Sequence, residues 1–141
     1  MKRRSLVKSL LAAPAAAVPA ALEAQVKPGR PAIQLHTDIH VKLDEEKQLL
    51  EDFHKLYLPL VKKHRGFIDA KLLKFRQANV GKPPEHYNYR LVQIFETEEL
   101  REQWRKSEDH KIGWHKAIES HLKVPFIAYL YDIAAEARPT R

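Results

Sequence analysis

The stretch YNYRLVQIFETEELREQWRKSEDHKIGWHKAIESHL, Tyr87–Leu122, decides how this chain folds. Its opening residues alternate: Tyr87, Tyr89, Leu91 and Phe95 oppose Val92 and Ile94, which predicts a strand over Tyr87–Glu96. Thr97 then stands at an N-cap position, with Glu98 and Glu99 in the first turn, where the helix dipole favours acids. From Thr97 to Leu122 the spacing predicts one long helix. At about 100° per residue, Ser107, His110, Trp114, Ala117, Ile118 and His121 share one side, with Trp104 at its edge. A plain core helix would carry leucines there; this stripe of rings, histidines and a serine suits a pocket wall as well as a core.

Outward from this stretch the pattern repeats. Ile33, Leu35, Ile39 and Val41 oppose Gln34, His36, Asp38, His40 and Lys42, which predicts a strand over Ile33–Lys42. Asp44 stands as the cap of a first helix with Glu45 and Glu46 in its first turn, and Leu49, Leu50, Phe53, Leu56, Tyr57, Leu60, Val61 and His64 follow helical spacing. Pro59 lies inside this run and should kink it. Arg65-Gly66 ends it, Phe67–Phe75 reads as a second strand, and Gln77–His86 is a loop holding Gly81, Pro83 and Pro84. Val124-Pro125 closes the second helix, Phe126–Ile133 is a fourth strand and Ala134–Arg141 a frayed tail. The order is β-α-β-β-α-β: an α+β, ferredoxin-like fold with a four-stranded antiparallel sheet and both helices on one face. Apolar side chains on both sides of the third and fourth strands call for cover on the open face, and a homodimer through that face supplies it.

The N-terminal residues read differently. Met1–Ala24 begins with Lys2-Arg3-Arg4 and continues into an alanine-rich apolar stretch with Pro14 and Pro19, the layout of an export signal. The run is too short and interrupted for a permanent membrane helix, so membrane contact is expected only during export. Arg3-Arg4-Ser5-Leu6-Val7-Lys8 resembles the twin-arginine consensus, which implies a periplasmic or secreted protein. Cleavage after Ala24 or Ala20 leaves a mature chain that opens with the linker 25–32 and carries the domain over 33–133. Loss of residues 1–24 removes four basic residues and one acidic, lowering the net charge from +7 to +4. Much of the basic balance is therefore the signal, and no basic patch interleaved with aromatics supports nucleic-acid binding. The absence of cysteine excludes disulfides, thiolate metal sites and cysteine nucleophiles.

HRGFIDAKLLKF and YRLVQIFETEELREQWRKSEDHK resemble the dimeric α/β-barrel superfamily, and within it the antibiotic-biosynthesis-monooxygenase-like domains, over about 33–133. Gly66, Trp104, Ser107 and His110 carry the likeness. The resemblance implies a cofactor-independent monooxygenase acting on a small aromatic or quinol-type substrate, with His110 and Tyr89 as catalytic groups and Trp104, Ser107 and Trp114 binding substrate. The alternative for His110 is a hydrogen bond that fastens helix to sheet, and for each indole it is core packing. Because the superfamily hosts many reactions, a non-catalytic ligand-binding or interaction domain of the same fold is the rival reading.

Spacing argues against a metal site on the first strand. His36, Asp38 and His40 share one face of the first strand, but residues i and i+4 on a strand lie about 13 Å apart, too far for one ion. No metal and no cofactor are expected. Haem-degrading relatives imply a third possibility: a strand-one Asn, a helix-two Trp and an axial His ten residues beyond that Trp. Trp104 matches, but ten residues on stands Trp114. His115 is one place off, which on a regular helix turns it away from the pocket, and strand one has no Asn.

Overall fold

The computed structural model describes residues 32–137, so the expected export signal, most of the linker and the last four residues lie outside the described part. The strands are β1 (Ile33–Ile39), β2 (Phe67–Lys74), β3 (Tyr89–Phe95) and β4 (Ile127–Asp132). They form an antiparallel sheet in the order β2-β3-β1-β4, as the β-α-β-β-α-β pattern requires. Helical residues 43–62 follow β1 and helical residues 98–121 follow β3. Their apolar stripes pack with Ile33, Ile39, Leu91 and Phe95 of the sheet into one core. Leu35↔Gln93, Thr37↔Leu91 and Thr37↔Ala128 register the inward rows of the central strands.

The first helical run comprises a 3-10 turn at Leu43–Glu45, α1 (Glu46–Asp52), a π-helical segment Phe53–Tyr57 and α2 (Leu58–Lys62). Asp44 does not cap it: no side chain caps α1, and Asp44 sits within the 3-10 turn. Pro59 exerts its effect upstream. Without an N–H it cannot bond the carbonyl one turn back, and the run widens to π geometry immediately before it. β1 ends three residues earlier than its alternation suggests. Val41 instead makes an isolated bridge to Leu122, while the Asn88 side chain accepts from Val41 N at 2.8 Å and donates to Val41 O at 3.0 Å.

The second helical run departs further from expectation. Thr97 is its cap, its hydroxyl accepting from Leu100 N at 3.1 Å, and α3 spans Glu98–Arg105. Ser107 then interrupts the predicted single helix. Its backbone is extended; its Oγ donates to Trp104 O at 2.7 Å and accepts from His110 N at 3.1 Å. Serine competes with the helix ladder in this way, ending one helix and capping the next. α4 (Glu108–His110) runs into a π-helical segment, Lys111–Lys116, and a 3-10 turn at Glu119–His121 completes the run. His121 is buried and ties the two runs together, its Nδ1 2.7 Å from Glu45 Oε1 and its Nε2 2.8 Å from Asp52 Oδ2.

Gly66 is the tightest joint. It turns the chain from α2 into β2 at φ 88°, and its carbonyl accepts from Glu96 N at 2.8 Å. A Cβ there would lie 2.5 Å from Leu100 Cδ1 and 2.7 Å from Leu100 Cβ. Gly66→Ala should therefore meet both backbone strain and a clash, costing about 2–4 kcal/mol. A thermal melt should show the midpoint lowered by roughly 10 °C or more; an unchanged midpoint would contradict this packing.

Candidate functional site

A cavity of about 500 Å³ lies between the helical layer and the β1/β4 side of the sheet. It exists because the helical layer leaves the edge strand β4 uncovered, so that Phe126, Ala128 and Leu130 form an apolar wall rather than core. Leu35, Thr37 and Gln93 make the floor, and the second helical run supplies the opposite wall.

Two indoles shape that wall. Trp104 is 1% exposed and packs edge-on against Tyr57, His64 and His110, at ring separations of 6.0, 4.8 and 5.2 Å. Trp114 stacks parallel to His110 at 6.3 Å and meets Phe126 edge-on at 4.8 Å. Both indoles are buried and both line the cavity, so pocket wall and core packing coincide. They flank the cavity instead of filling it. Among the described residues Trp104 Nε1 is buried with no acceptor in hydrogen-bond geometry, and the indole acts electrostatically on the Tyr57 hydroxyl.

His110 stands between the two indoles. Burial, reinforced by His115, Arg105 and Arg101 nearby and opposed by Glu119, pulls its pKa down to about 4. At neutral pH it is an uncharged imidazole. Ser107 does not line the cavity; its hydroxyl holds the backbone of His110 and so aims the ring without touching the space.

Tyr89 lies elsewhere. On β3 its side chain points to the far end of the helical layer, where its hydroxyl donates to Glu46 Oε1 at 2.6 Å and Lys74 Nζ lies 2.7 Å from the same oxygen. Burial and the Glu46 carboxylate push its phenol up to about 12. The phenol in the main cavity is Tyr57, from the first helical run, which bonds to Gln93 of the floor. Burial raises its pKa, against the smaller opposing effects of Gln93 and Trp104, so it keeps its proton.

Tyr57, Gln93 and Thr37 were not singled out in sequence, though a signal existed. Each is a polar group interrupting an otherwise apolar stripe, and in the folded chain all three reach one space. The mouth adds Arg101 and Arg105, each paired with Glu102, and His115 with its Nδ1 against Glu119. His115 corrects the expectation from regular helical spacing. The π-helical segment closes each turn one residue later, which brings the side chain five places after His110 back to the cavity side.

Outside this cavity the first-strand polar face is taken up by other contacts. Arg90 binds Asp38 through two bonds of 2.6 and 3.0 Å, and His36 contacts Gln34 at 2.7 Å and the Tyr131 ring at 4.8 Å. Among the described residues no group of three His, Asp or Glu side chains is placed to hold a metal ion.

His110 gives the site a pH signature. Its folded pKa of about 4 lies below the ordinary 6.5, so between those values the unfolded chain binds the proton and the folded chain does not. The His110 contribution to stability is complete above pH 6.5 and is lost as pH falls toward 4. NMR titration of the imidazoles should show His110 uncharged down to about pH 5; a midpoint near 6.5 would contradict its burial between the indoles.

No protein-family model matches the chain, and no curated protein matches it. Solved structures do. A Bordetella bronchiseptica protein described as a "putative antibiotic biosynthesis monooxygenase" is 21% identical, covers 72% of this chain and 96% of its own, and superposes with a TM-score of 0.59. A Caulobacter crescentus protein described in the same words is 13% identical, covering 75% and 92%, with a TM-score of 0.58. A Mesorhizobium loti protein of the dabb family with a ferredoxin-like fold is 16% identical, covering 72% and 96%, with a TM-score of 0.54. At these identities the likeness is one of fold, and it agrees with the sheet order and helical layer described above: the chain has an α+β, ferredoxin-like fold.

Proposed function

We propose that the domain is a cofactor-independent monooxygenase acting on a small aromatic or quinol-type substrate. The observation that carries this reading is the cavity itself: about 500 Å³, walled by two indoles and apolar β4 side chains, with several polar groups converging on it. A flat ring fits between such walls, and the Tyr57–Gln93 pair offers donors to a substrate oxygen that gains negative charge. Neutral His110 touches the same space and can share a hydrogen bond with the substrate. Loss of a proton leaves a carbanion that reduces dioxygen directly. The substrate supplies the electrons, one oxygen atom enters it as a carbonyl, and the other leaves as water.

The working unit of this proposal is a homodimer. Ile127, Tyr129 and Tyr131 lie exposed on the open sheet face, Tyr129 and Tyr131 at 47% and 49%, with Gln34, His36 and Asp38 of β1 between them and β3. A second copy is the economical cover for such a surface. Oxygen uptake with menadiol and dithranol, paired with sedimentation of the same sample, tests both parts. A dimer that consumes oxygen is expected, with His110→Ala slower and its thermal midpoint lowered by the packing lost between the indoles. Tight binding of these compounds without uptake would return the domain to the ligand-binding class, and a monomer would remove the sheet-face dimer.

One observation favours a second reading, haem binding. His115 lines the cavity through the π-helical segment, and its Nδ1 contact with Glu119 resembles the carboxylate–histidine pairs that orient metal-ligating imidazoles. The first strand still offers no Asn toward the cavity, where Leu35 and Thr37 stand. Titration with haemin decides: a Soret shift that His115→Ala abolishes supports haem, and an unshifted spectrum removes it.

A further inference from the structure

The two histidines that share the cavity sit in opposite surroundings. His110 is wedged between Trp104 and Trp114. His115 stands at the mouth with its side chain 58% exposed and its Nδ1 against the Glu119 carboxylate. On a regular α-helix two residues five apart point about 140° from each other, so one of the pair would face away. The π-helical segment Lys111–Lys116 removes that divergence, and both rings line one space.

We propose that His115, held by Glu119, is the proton acceptor of this cavity, and that His110 stays neutral and only orients the substrate. The proposal rests on the aromatic-substrate reading above and names the base within it. With a carboxylate at Nδ1, the ring carries its hydrogen there and presents the Nε2 lone pair. A substrate hydroxyl then loses its proton to Nε2: the O–H bond breaks, an N–H bond forms, and Glu119 balances the imidazolium charge. Because the ring is half in water, the proton leaves to solvent without crossing the protein. His110 is ill suited to this task, since burial between indoles penalises its charged form and Arg101, Arg105 and His115 add repulsion.

The remaining lining groups do not compete. Among the described residues, titratable side chains on the cavity come from the second helical run (Arg101, Arg105, His110, His115, Glu119) and, from the first, Tyr57, with none from the sheet. Burial keeps Tyr57 protonated, and the arginines are cations paired with Glu102. An ordinary surface pair four residues apart would also show the Glu119 contact. What separates this pair from that reading is its place on a cavity and the change of helical pitch that puts it there.

The test uses 4-nitrophenol, whose phenolate absorbs visible light, and the full chain with His115→Asn and Glu119→Gln. Bound probe should ionise at lower pH than free probe in the wild type, about as free probe in His115→Asn, and in between in Glu119→Gln. Ring-nitrogen NMR should show the Nδ1–H tautomer at His115, lost in Glu119→Gln while thermal midpoints stay put. With menadiol, His115→Asn should lower kcat/KM by about 10²-fold. Glu119→Gln should lower it by less, because Nε2 remains while the partner that fixes the tautomer is gone. A His115→Asn variant that still ionises bound probe like the wild type, or a wild-type His115 carrying its hydrogen on Nε2, overturns the proposal. If the wild type neither binds probe nor consumes oxygen, the aromatic-substrate reading falls, and the tautomer still decides whether His115 is built as a base.

Discussion

The packing of the Trp104 indole is the constraint on which the rest of the structure depends. It meets Tyr57 and His64 of the first helical run and its following turn, and His110 of the second, and its far edge lies 3.7 Å from where a side chain on Gly113 would begin. Burying an indole removes about 200 Å² from water, worth roughly 5 kcal/mol at the usual rate, which makes it a large single contribution to so small a core. The same ring lines the cavity beside Tyr57, His110 and Trp114, so core packing and pocket wall share this side chain.

The irregularities of the two helical runs serve the same arrangement. Pro59 withdraws a backbone donor, and the π-helical segment Phe53–Tyr57 places Tyr57 over Gln93 instead of leaving it on a regular stripe. Ser107 ends α3 directly after Trp104 and restarts the helix with His110 aimed inward. The second π-helical segment then carries Trp114 and His115 to the cavity together. π turns are rare because they weaken helical packing, and here both sit where a run faces the cavity.

Electrostatics sort the titratable groups by depth. Tyr57 and His110, the deeper groups, are both driven toward their uncharged forms by burial. Arg101 and Arg105 sit toward the rim, each paired with Glu102, and His115 there contacts Glu119. The interior is neutral and hydrogen-bonding, the rim charged and wet. Such a gradient suits a molecule whose ring goes in and whose ionising group stays near the mouth. Tyr89, with Glu46 and Lys74, belongs to a separate polar cluster that ties α1 to the ends of β2 and β3.

Strand and helix positions, the β-α-β-β-α-β order, the Thr97 cap and the Gly66 turn were all legible in the sequence. Each follows from a periodicity or a backbone preference that acts within a few residues. His110, Trp104 and Trp114 were legible as a stripe for the same reason. The Ser107 break was not, because a serine with acids after it reads equally as a helix interior or a new cap until Trp104 has a core to fill. Nor was the partner of Tyr89, or the meeting of Tyr57 with Gln93, since those residues are 43 and 36 positions apart from their partners and only the packed sheet brings them together. His115 is the sharpest case. Its position alone, five residues after His110, points it about 140° from that ring at 3.6 residues per turn. The tertiary structure sets both rings on one cavity, His115 at the mouth and half in water, through the π-helical segment Lys111–Lys116.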